Sequence, residues 1–413
     1  MKHLLILITS IMLLTACEKD DRNETPITPK RTVIVYMSAE TNLSDYAQSD
    51  INEMIQGRRQ VGDDCNLVIY VDRASRTEMP FIARITGNTD NPIDTLYKYP
   101  TDFYSSDPEN FSEVLRHIVS LCPATQDYGL VFWGHADGWI LENDNVTTSS
   151  APRRAYGVDN GDNTNINRAK SPSRWLNIPK MAQALAQVGI KWKFIFCDCC
   201  NMQNAEVAYE LRNITDYIIA SPAEITGVGA PYDTMVKDFF IQNDEEMYIQ
   251  MCSDYNAQID YVGGHLPISV VRTSKMQALA DATKAVLPEV ATYLSSDNPT
   301  QGHIYYYSAS KGADKEKVMY DMYGMISAAL ADAPEKFSTW EQVFNQTVIY
   351  AEASTKWHAN TVDFNDFTVT SDNFGGISMF FPLEKYAKAS HDYNNDIKQM
   401  QWYQAVGWSE VGW

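Results

Sequence analysis

The sequence predicts an α/β fold, a mostly parallel central sheet with helices on both faces. Three observations carry that prediction. Short apolar runs at residues 32–36, 67–71, 130–133, 194–197 and 217–220 have the length of buried strands. Between them, apolar residues recur every three or four positions, as one face of a helix requires. Strand and helix alternate, and parallel neighbours need a crossover between them, usually a helix.

The start of the chain stands outside this pattern. Lys2 and His3 precede an apolar run, 4–14, that is short for a bilayer, where roughly 20 residues are needed. A polar start, an apolar centre and small residues before the break describe a signal peptide over residues 1–16. Leu14-Thr15-Ala16-Cys17 matches a lipobox, so Cys17 is expected to be lipidated and to become the mature N-terminus. An ordinary signal that happens to carry a cysteine at its cleavage site is the alternative. Glu18-Lys19-Asp20-Asp21 is similar to the acidic tag of some surface-exported lipoproteins, which leaves the outer surface and the periplasmic face both open. Residues 17–30, charged and carrying Pro26 and Pro29, read as a lipidated tether. The expected location is an exported, outer-membrane or cell-surface lipoprotein, in contact with the membrane only through its lipid anchor.

From residue 31 the elements follow in order. After strand 32–36, Leu43, Tyr46, Met54 and Ile55 mark a helix; after strand 67–71, residues 81–85 read as a hairpin partner. Phe111, Val114, Leu115, Ile118 and Leu121 form a helix leading to strand 130–133. A polar insertion, 143–174, separates it from the helix of Ile178, Met181, Leu185 and Val188 and then strand 194–197. Met202, Ala205, Ala208 and Leu211 mark the next helix, followed by strand 217–220. Beyond residue 235, long helical segments at 274–292, 315–332 and 336–354 accompany strands at 267–271 and 377–381. The division expected is an α/β domain at 31–235 and a C-terminal α/β extension at 236–413 that packs on it.

Two strands end in residues with chemistry. Strand 130–133 runs into Gly134-His135-Ala136-Asp137-Gly138-Trp139, and strand 194–197 into Asp198-Cys199-Cys200-Asn201-Met202. In an open α/β sheet, residues beyond the carboxyl ends of neighbouring strands converge on one crevice. One histidine and one cysteine are the minimum set for thiol catalysis. Cys200 falls where strand gives way to helix, and the positive end of a helix dipole favours a thiolate. Cys199 is its rival, but strand alternation should turn that side chain the other way.

These letters resemble a known family. Asp198-Cys199-Cys200-Asn201-Met202 is similar to the Asp-Ala-Cys-Leu-Met motif of the clostripain family of cysteine peptidases. Residues 133–139 resemble that family's His-Gly-x-Gly-Trp motif, with Ala136 in place of the glycine after histidine. The likeness continues at 35–40, 156–159, 220–224, 231–233 and 375–382, and so spans most of residues 31–410.

The resemblance implies a caspase-like fold and a cysteine peptidase. Cys200 would attack a peptide carbonyl, His135 would move the proton, and the backbone N–H groups of Ala136 and Cys200 would hold the oxyanion. Alanine fits at 136 only with negative φ. Asp198 matches the position that lines the primary specificity pocket and pairs with substrate Arg or Lys; a helix N-cap is its alternative role. Some relatives have a second pocket acid near 226–229, where this chain has Val228, which loosens the expected basic preference. Relatives are cut between the two motifs. Here the insertion contains Arg153, Arg154, Arg168, Lys170 and Arg174, so self-cleavage is expected at Arg153 or Arg154. The resemblance also raises calcium (Ca2+), as does Asp159-Asn160-Gly161-Asp162-Asn163-Thr164-Asn165. That run lacks EF-hand spacing and suits turns, so no ligands are assigned. The chemistry itself requires no cofactor.

Formal net charge is −20 with no Lys/Arg block, which makes nucleic acid and anionic lipid poor partners. A basic substrate is favoured within about a Debye length, roughly 8 Å, although acidity also serves solubility. Apart from Cys17, the cysteines are Cys65, Cys122, Cys197, Cys199, Cys200 and Cys252; an even number leaves disulfides open, yet buried thiols fit the spacing better. Cys197, Cys199 and Cys200 lack a second cysteine pair at finger-like spacing, so no metal is assigned to them. The reading is a secreted, monomeric cysteine endopeptidase acting on proteins or peptides through His135 and Cys200. A non-catalytic surface-binding lipoprotein on the same scaffold is the competing class, and transpeptidation on the same dyad a third.

Overall fold

Continuous apolar runs become strands covered on both faces. The structure is a computed structural model that describes residues 28–75, 77–141, 155–160, 174–257, 264–308, 316–387 and 392–413. In chain order the strands are β1 (Arg31–Ala39), β2 (Cys65–Arg73), β3 (Phe81–Ile85), β4 (Ile93–Lys98), β5 (Asp127–Trp133), β6 (Tyr156–Asp159) and β7 (Arg174–Leu176). They continue as β8 (Trp192–Asp198), β9 (Thr215–Ala220), β10 (Ile268–Arg272), β11 (Tyr305–Ser308), β12 (Lys317–Asp321), β13 (Val348–Glu352) and β14 (Ser378–Met379). Nine of them form one sheet in the order β13-β10-β9-β8-β5-β1-β2-β3-β4. Its centre, β9-β8-β5-β1-β2, is parallel; β3 and β4 at one edge and β10 and β13 at the other are antiparallel. Every residue of β1 is buried, as expected of a central parallel strand.

The strand order positions the site. From β1 the chain moves to β2 on one side and later enters β5 on the other. Such a reversal opens a crevice at the carboxyl ends of the two strands. Helices α1 (Ser44–Arg58), α2 (Pro108–Leu121), α3 (Ile178–Val188) and α4 (Ala205–Glu210) flank the sheet. α2 shows why its sequence folds as it does: the Asp107 side chain accepts the N–H groups of Glu109 and Asn110, and Pro108 occupies the first turn. Its buried face, Phe111, Val114, Leu115 and Ile118, is the predicted one.

The C-terminal half departs from the sequence reading. The helix expected at 315–332 is a strand, β12, followed by a helix at Met322–Ala329 that Asp321 caps through the Gly324 N–H at 3.0 Å. The helix expected at 336–354 runs from Pro334 to Thr347 and gives way to β13. Val318 and Tyr320, and Val348, Ile349 and Tyr350, are β-branched or aromatic, and here sheet partners decide over helical spacing. β12 pairs with β11 and β14, and β13 with β10. The sheet that carries β5 and β8 therefore takes in strands from beyond residue 235. Cys65, Cys122, Cys197, Cys199, Cys200 and Cys252 are free thiols. Among the described residues no helix is long and apolar enough to cross a membrane.

Candidate active site

β5 and β8 are parallel neighbours, and Trp133 stands in register with Asp198. His135 lies two residues past Trp133 and Cys200 two past Asp198, so the register alone brings both to the same height above the sheet. The turn after β5 needs glycine: Gly134 has φ 139°, and a Cβ there would lie 2.9 Å from the Ser38 carbonyl oxygen on β1. The turn after β8 uses Asn201 in the left-handed region, φ 58°. Between these turns is a cleft of about 210 Å³ whose walls include His135, Ala136, Asp198, Cys200, Glu224 and Ile225.

Cys200 is partly open to the cleft, whereas Cys199 is fully buried, as strand alternation requires. The Ile225 N–H donates to Cys200 Sγ at 3.4 Å. Burial pushes the thiol up to about 12; the Ile225 backbone pulls it down, and Asp137, Glu224 and Asp198 push it further up. This corrects the expectation that a helix end favours the thiolate. α4 begins only at Ala205, and its cap is Asn204, whose Oδ1 accepts the Val207 N–H at 3.1 Å. No helix end stands at Cys200, and Asp198 caps no helix.

His135 Nε2 pairs with Asn42 Oδ1 at 2.8 Å, which places the ring proton on Nε2 because a carbonyl oxygen only accepts. The His135 carbonyl accepts the Gly157 N–H at 2.8 Å. Among described residues other than glycine only Asn201 and Asn298 have positive φ, so Ala136 has the backbone its side chain allows.

Asp198 is 3% exposed. Its Oδ2 accepts the Tyr232 hydroxyl at 2.8 Å and the Ala230 N–H at 3.2 Å, while Oδ1 has no hydrogen-bond partner. Burial pushes the carboxyl up to about 6, with the two donors pulling it down. Gly229, φ 68°, comes close beneath it: a Cβ there would lie 2.9 Å from Oδ2. A buried carboxyl with one free oxygen at a cleft wall is suited to a cationic group. Behind it, Asp50 accepts the Trp133 indole N–H at 2.6 Å. Burial first, and then the Asp198 charge, push Asp50 up to about 8.

A model of the clostripain family matches residues 35–413. The chain belongs to the clostripain family. It is a cysteine peptidase. No curated protein sequence matches it. Among solved structures it is similar to a secreted C11 cysteine protease from Bacteroides thetaiotaomicron in complex with an irreversible peptide inhibitor, at 27% identity and TM-score 0.74, covering 92% of this chain and 99% of that one. Two others match at the level of fold. An inactive zymogen C11 protease from Parabacteroides distasonis has 23% identity and TM-score 0.70, covering 92% and 99%. A second secreted C11 protease from B. thetaiotaomicron, iotapain, has 19% identity and TM-score 0.69, covering 92% and 100%.

In this clostripain-family chain, His135, Ala136, Asp198 and Cys200 meet at one cleft. Cys17, Arg153, Arg154, Arg168, Lys170 and residues 161–165 lie outside the described residues. Arg174 is described; its guanidinium lies 3.6 Å from Asp107 and over the Tyr104 ring. Thr226, Gly227 and Gly229 line the cleft on the stretch where Val228 was singled out. Sequence reasoning missed Asn42, Asp50, Glu224 and Tyr232. Glu224 and Tyr232 fell inside stretches of family likeness but had no role assigned. Glu224 accepts the N–H groups of Asn360, at 2.8 Å, and Thr361, at 3.1 Å, and so ties that distant segment to the cleft rim. Asp50 left no signal, because an aspartate in a helix reads as part of a solvated face.

Proposed function

We propose that this peptidase is a secreted endopeptidase that cuts after Arg or Lys, with Cys200 as nucleophile and His135 as its acid–base partner. The observation that carries the reading is that the Cys200 thiol, the His135 ring and the Asp198 carboxyl share one cleft. Cys200 Sγ bonds to the carbonyl carbon as its proton passes to His135, giving a tetrahedral intermediate. The N–H groups of Ala136 and Cys200 receive the oxyanion, each such donor contributing about 3–4 kcal/mol. Collapse breaks the C–N bond, and His135 protonates the leaving amine. Water, deprotonated by His135, then attacks the thioester and releases the acid and the free thiol. Asp198 Oδ1 pairs with the guanidinium or ammonium of the residue before the cut.

Self-cleavage at Arg153 or Arg154 belongs to the same reading. Ala155, the residue after Arg154, lies beside the His135 turn, where the Asp137 N–H donates to the Ala155 carbonyl at 3.0 Å. Export as a lipoprotein through Cys17 rests on the leader sequence; Cys17→Ser should abolish incorporation of labelled fatty acid.

The deciding experiment compares cleavage of matched Arg, Lys and Leu peptides by wild type, Cys199→Ala, Cys200→Ala and Asp198→Asn. Loss of turnover in Cys200→Ala alone among the cysteine variants, and of basic preference in Asp198→Asn, is expected. Activity that survives Cys200→Ala, or equal cleavage after Arg and Leu by wild type, would overturn it. N-terminal sequencing of incubated wild type and Cys200→Ala tests the self-cut.

A further inference from the structure

The segment after β9 runs along the cysteine turn. The Ala223 carbonyl accepts the Asn201 N–H at 2.9 Å, the Ile225 N–H donates to Cys200 Sγ at 3.4 Å, and the Ala230 N–H reaches Asp198 Oδ2 at 3.2 Å. Glu224 belongs to this run and lines the cleft. Its Oε2 accepts the N–H groups of Asn360, at 2.8 Å, and Thr361, at 3.1 Å, and the Thr361 hydroxyl at 3.1 Å. Three donors on one oxygen fix the carboxylate in place. Its other oxygen, Oε1, takes no donor from the described residues.

Strand order decides which part of a substrate passes Glu224. The sheet runs β9-β8-β5, so Cys200 stands between the β9 end, which leads to Glu224, and the β5 end, which leads to His135. His135 has to reach the leaving amine, which puts the departing part of the substrate on the β5 side. The acyl part then extends toward β9. In an extended peptide successive side chains point to opposite faces. Where one residue sends its side chain down to the buried Asp198, the residue before it turns out to the rim. Glu224, half-buried, stands there.

Charge gives that position its preference. Asp137, Asp198 and Glu224 line the cleft, and the described residues of its wall include no lysine or arginine. The Glu224 charge is near enough to push the Cys200 thiol up. A second cation beside the one on Asp198 would be repelled by it unless it met an acid of its own. Glu224 Oε1 supplies that acid, and a charge-assisted bond is roughly twice as strong as a neutral one.

We propose that Glu224 receives a second cationic side chain, that of the residue preceding the one at Asp198, so that the enzyme favours paired basic residues. The Cys200, His135 and Asp198 roles proposed above define this second position, and the assignment rests on them. The preferred substrate class narrows from a single Arg or Lys to pairs such as Arg-Arg and Lys-Arg. The two arginines of the insertion become distinguishable. A cut after Arg154 puts Arg153 in the second position, whereas Pro152 precedes Arg153.

The test uses amino-blocked dipeptide coumarin amides, in which the reporter fixes the cut after the second residue. Wild type and Glu224→Gln are assayed on Lys-Arg, Leu-Arg, Glu-Arg, Lys-Leu and Leu-Leu. In wild type, kcat/KM should be about tenfold higher for Lys-Arg than for Leu-Arg, mostly through KM, and lowest among the Arg substrates for Glu-Arg. High salt should shrink the advantage by screening the rim charges. Glu224→Gln, which keeps an acceptor for the Asn360 and Thr361 N–H groups, should bring Lys-Arg and Leu-Arg close to equal. Because the readout is a ratio of two substrates, a general loss of activity from a loosened 360–361 segment does not move it. Equal kcat/KM on Lys-Arg and Leu-Arg in wild type would overturn the proposal, as would an unchanged ratio in Glu224→Gln. Equal rates on Leu-Arg and Leu-Leu would instead remove the Asp198 reading, and the ratio of Lys-Leu to Leu-Leu would still decide on Glu224.

Discussion

At Cys200 the protein around the sulfur raises the thiol to about 12, mainly by removing water. Below that value the thiolate fraction grows about tenfold per pH unit. Alkylation of resting enzyme by iodoacetamide should therefore accelerate about tenfold per unit from pH 7 to 10, read by mass spectrometry at Cys200. A plateau near neutrality would mean that His135 already holds the thiol proton before substrate arrives. Asp198 titrates near 6 and must be ionised to take a cation. The kcat/KM for an Arg peptide should rise as pH passes through about 6, and Asp198→Asn should lower it on the order of a hundredfold and flatten that rise. Retention of the rise in Asp198→Asn would assign it to another group. The four cleft residues were legible because each stands beyond an apolar strand in a run of motif letters. Asn42 and Asp50 were not, since their roles depend on which strand lies beside which.

The turn that presents Cys200 is held by the next element. Asn204 caps α4 with its oxygen and donates its Nδ2 to the Asn201 carbonyl at 2.7 Å, joining helix start to cysteine turn. Gly138, φ 62°, closes on the same spot: a Cβ there would lie 2.4 Å from both the Asn201 carbonyl oxygen and Asn204 Nδ2. Asn204→Ala should cost about 1–2 kcal/mol in urea unfolding through the lost cap and an orphaned carbonyl. Gly138→Ala should cost more, because strain and overlap act together, and both should lower kcat without a matching change in KM. Full kcat in Asn204→Ala would show that the strands alone hold the turn. The periodicity of Met202, Ala205, Ala208 and Leu211 concealed where the helix starts. The cap residue marked it, since Asn before an acidic first turn is a helix-start signal. β12 and β13 were hidden for a related reason: each is five residues long and continuous in sequence with a helix, and each has a partner, β14 or β10, that is distant in the chain.

The parallel centre of the molecule was readable because each of its strands is a local apolar run, while the antiparallel edge from the C-terminal half depends on pairings that no local pattern records. Acidity unites the whole. Asp198 and Asp321 titrate near 6, Asp238 near 7, and Asp50 and Glu206 near 8, all raised first by burial. In the unfolded chain the same carboxyls titrate near their ordinary values, roughly 4. Between those values the folded state binds more protons, so stability is fullest below about pH 4 as far as these groups are concerned. It falls as pH rises through 6 to 8. A formal net charge of −20 at pH 7 works in the same direction through self-repulsion. The Tm of Cys200→Ala protein in chelator, chosen to avoid self-cleavage, should therefore decline steadily from pH 5 to pH 8 in scanning calorimetry. A Tm that climbs across this range would mean that the buried carboxyls are stabilised as anions, and the account of their burial would fall.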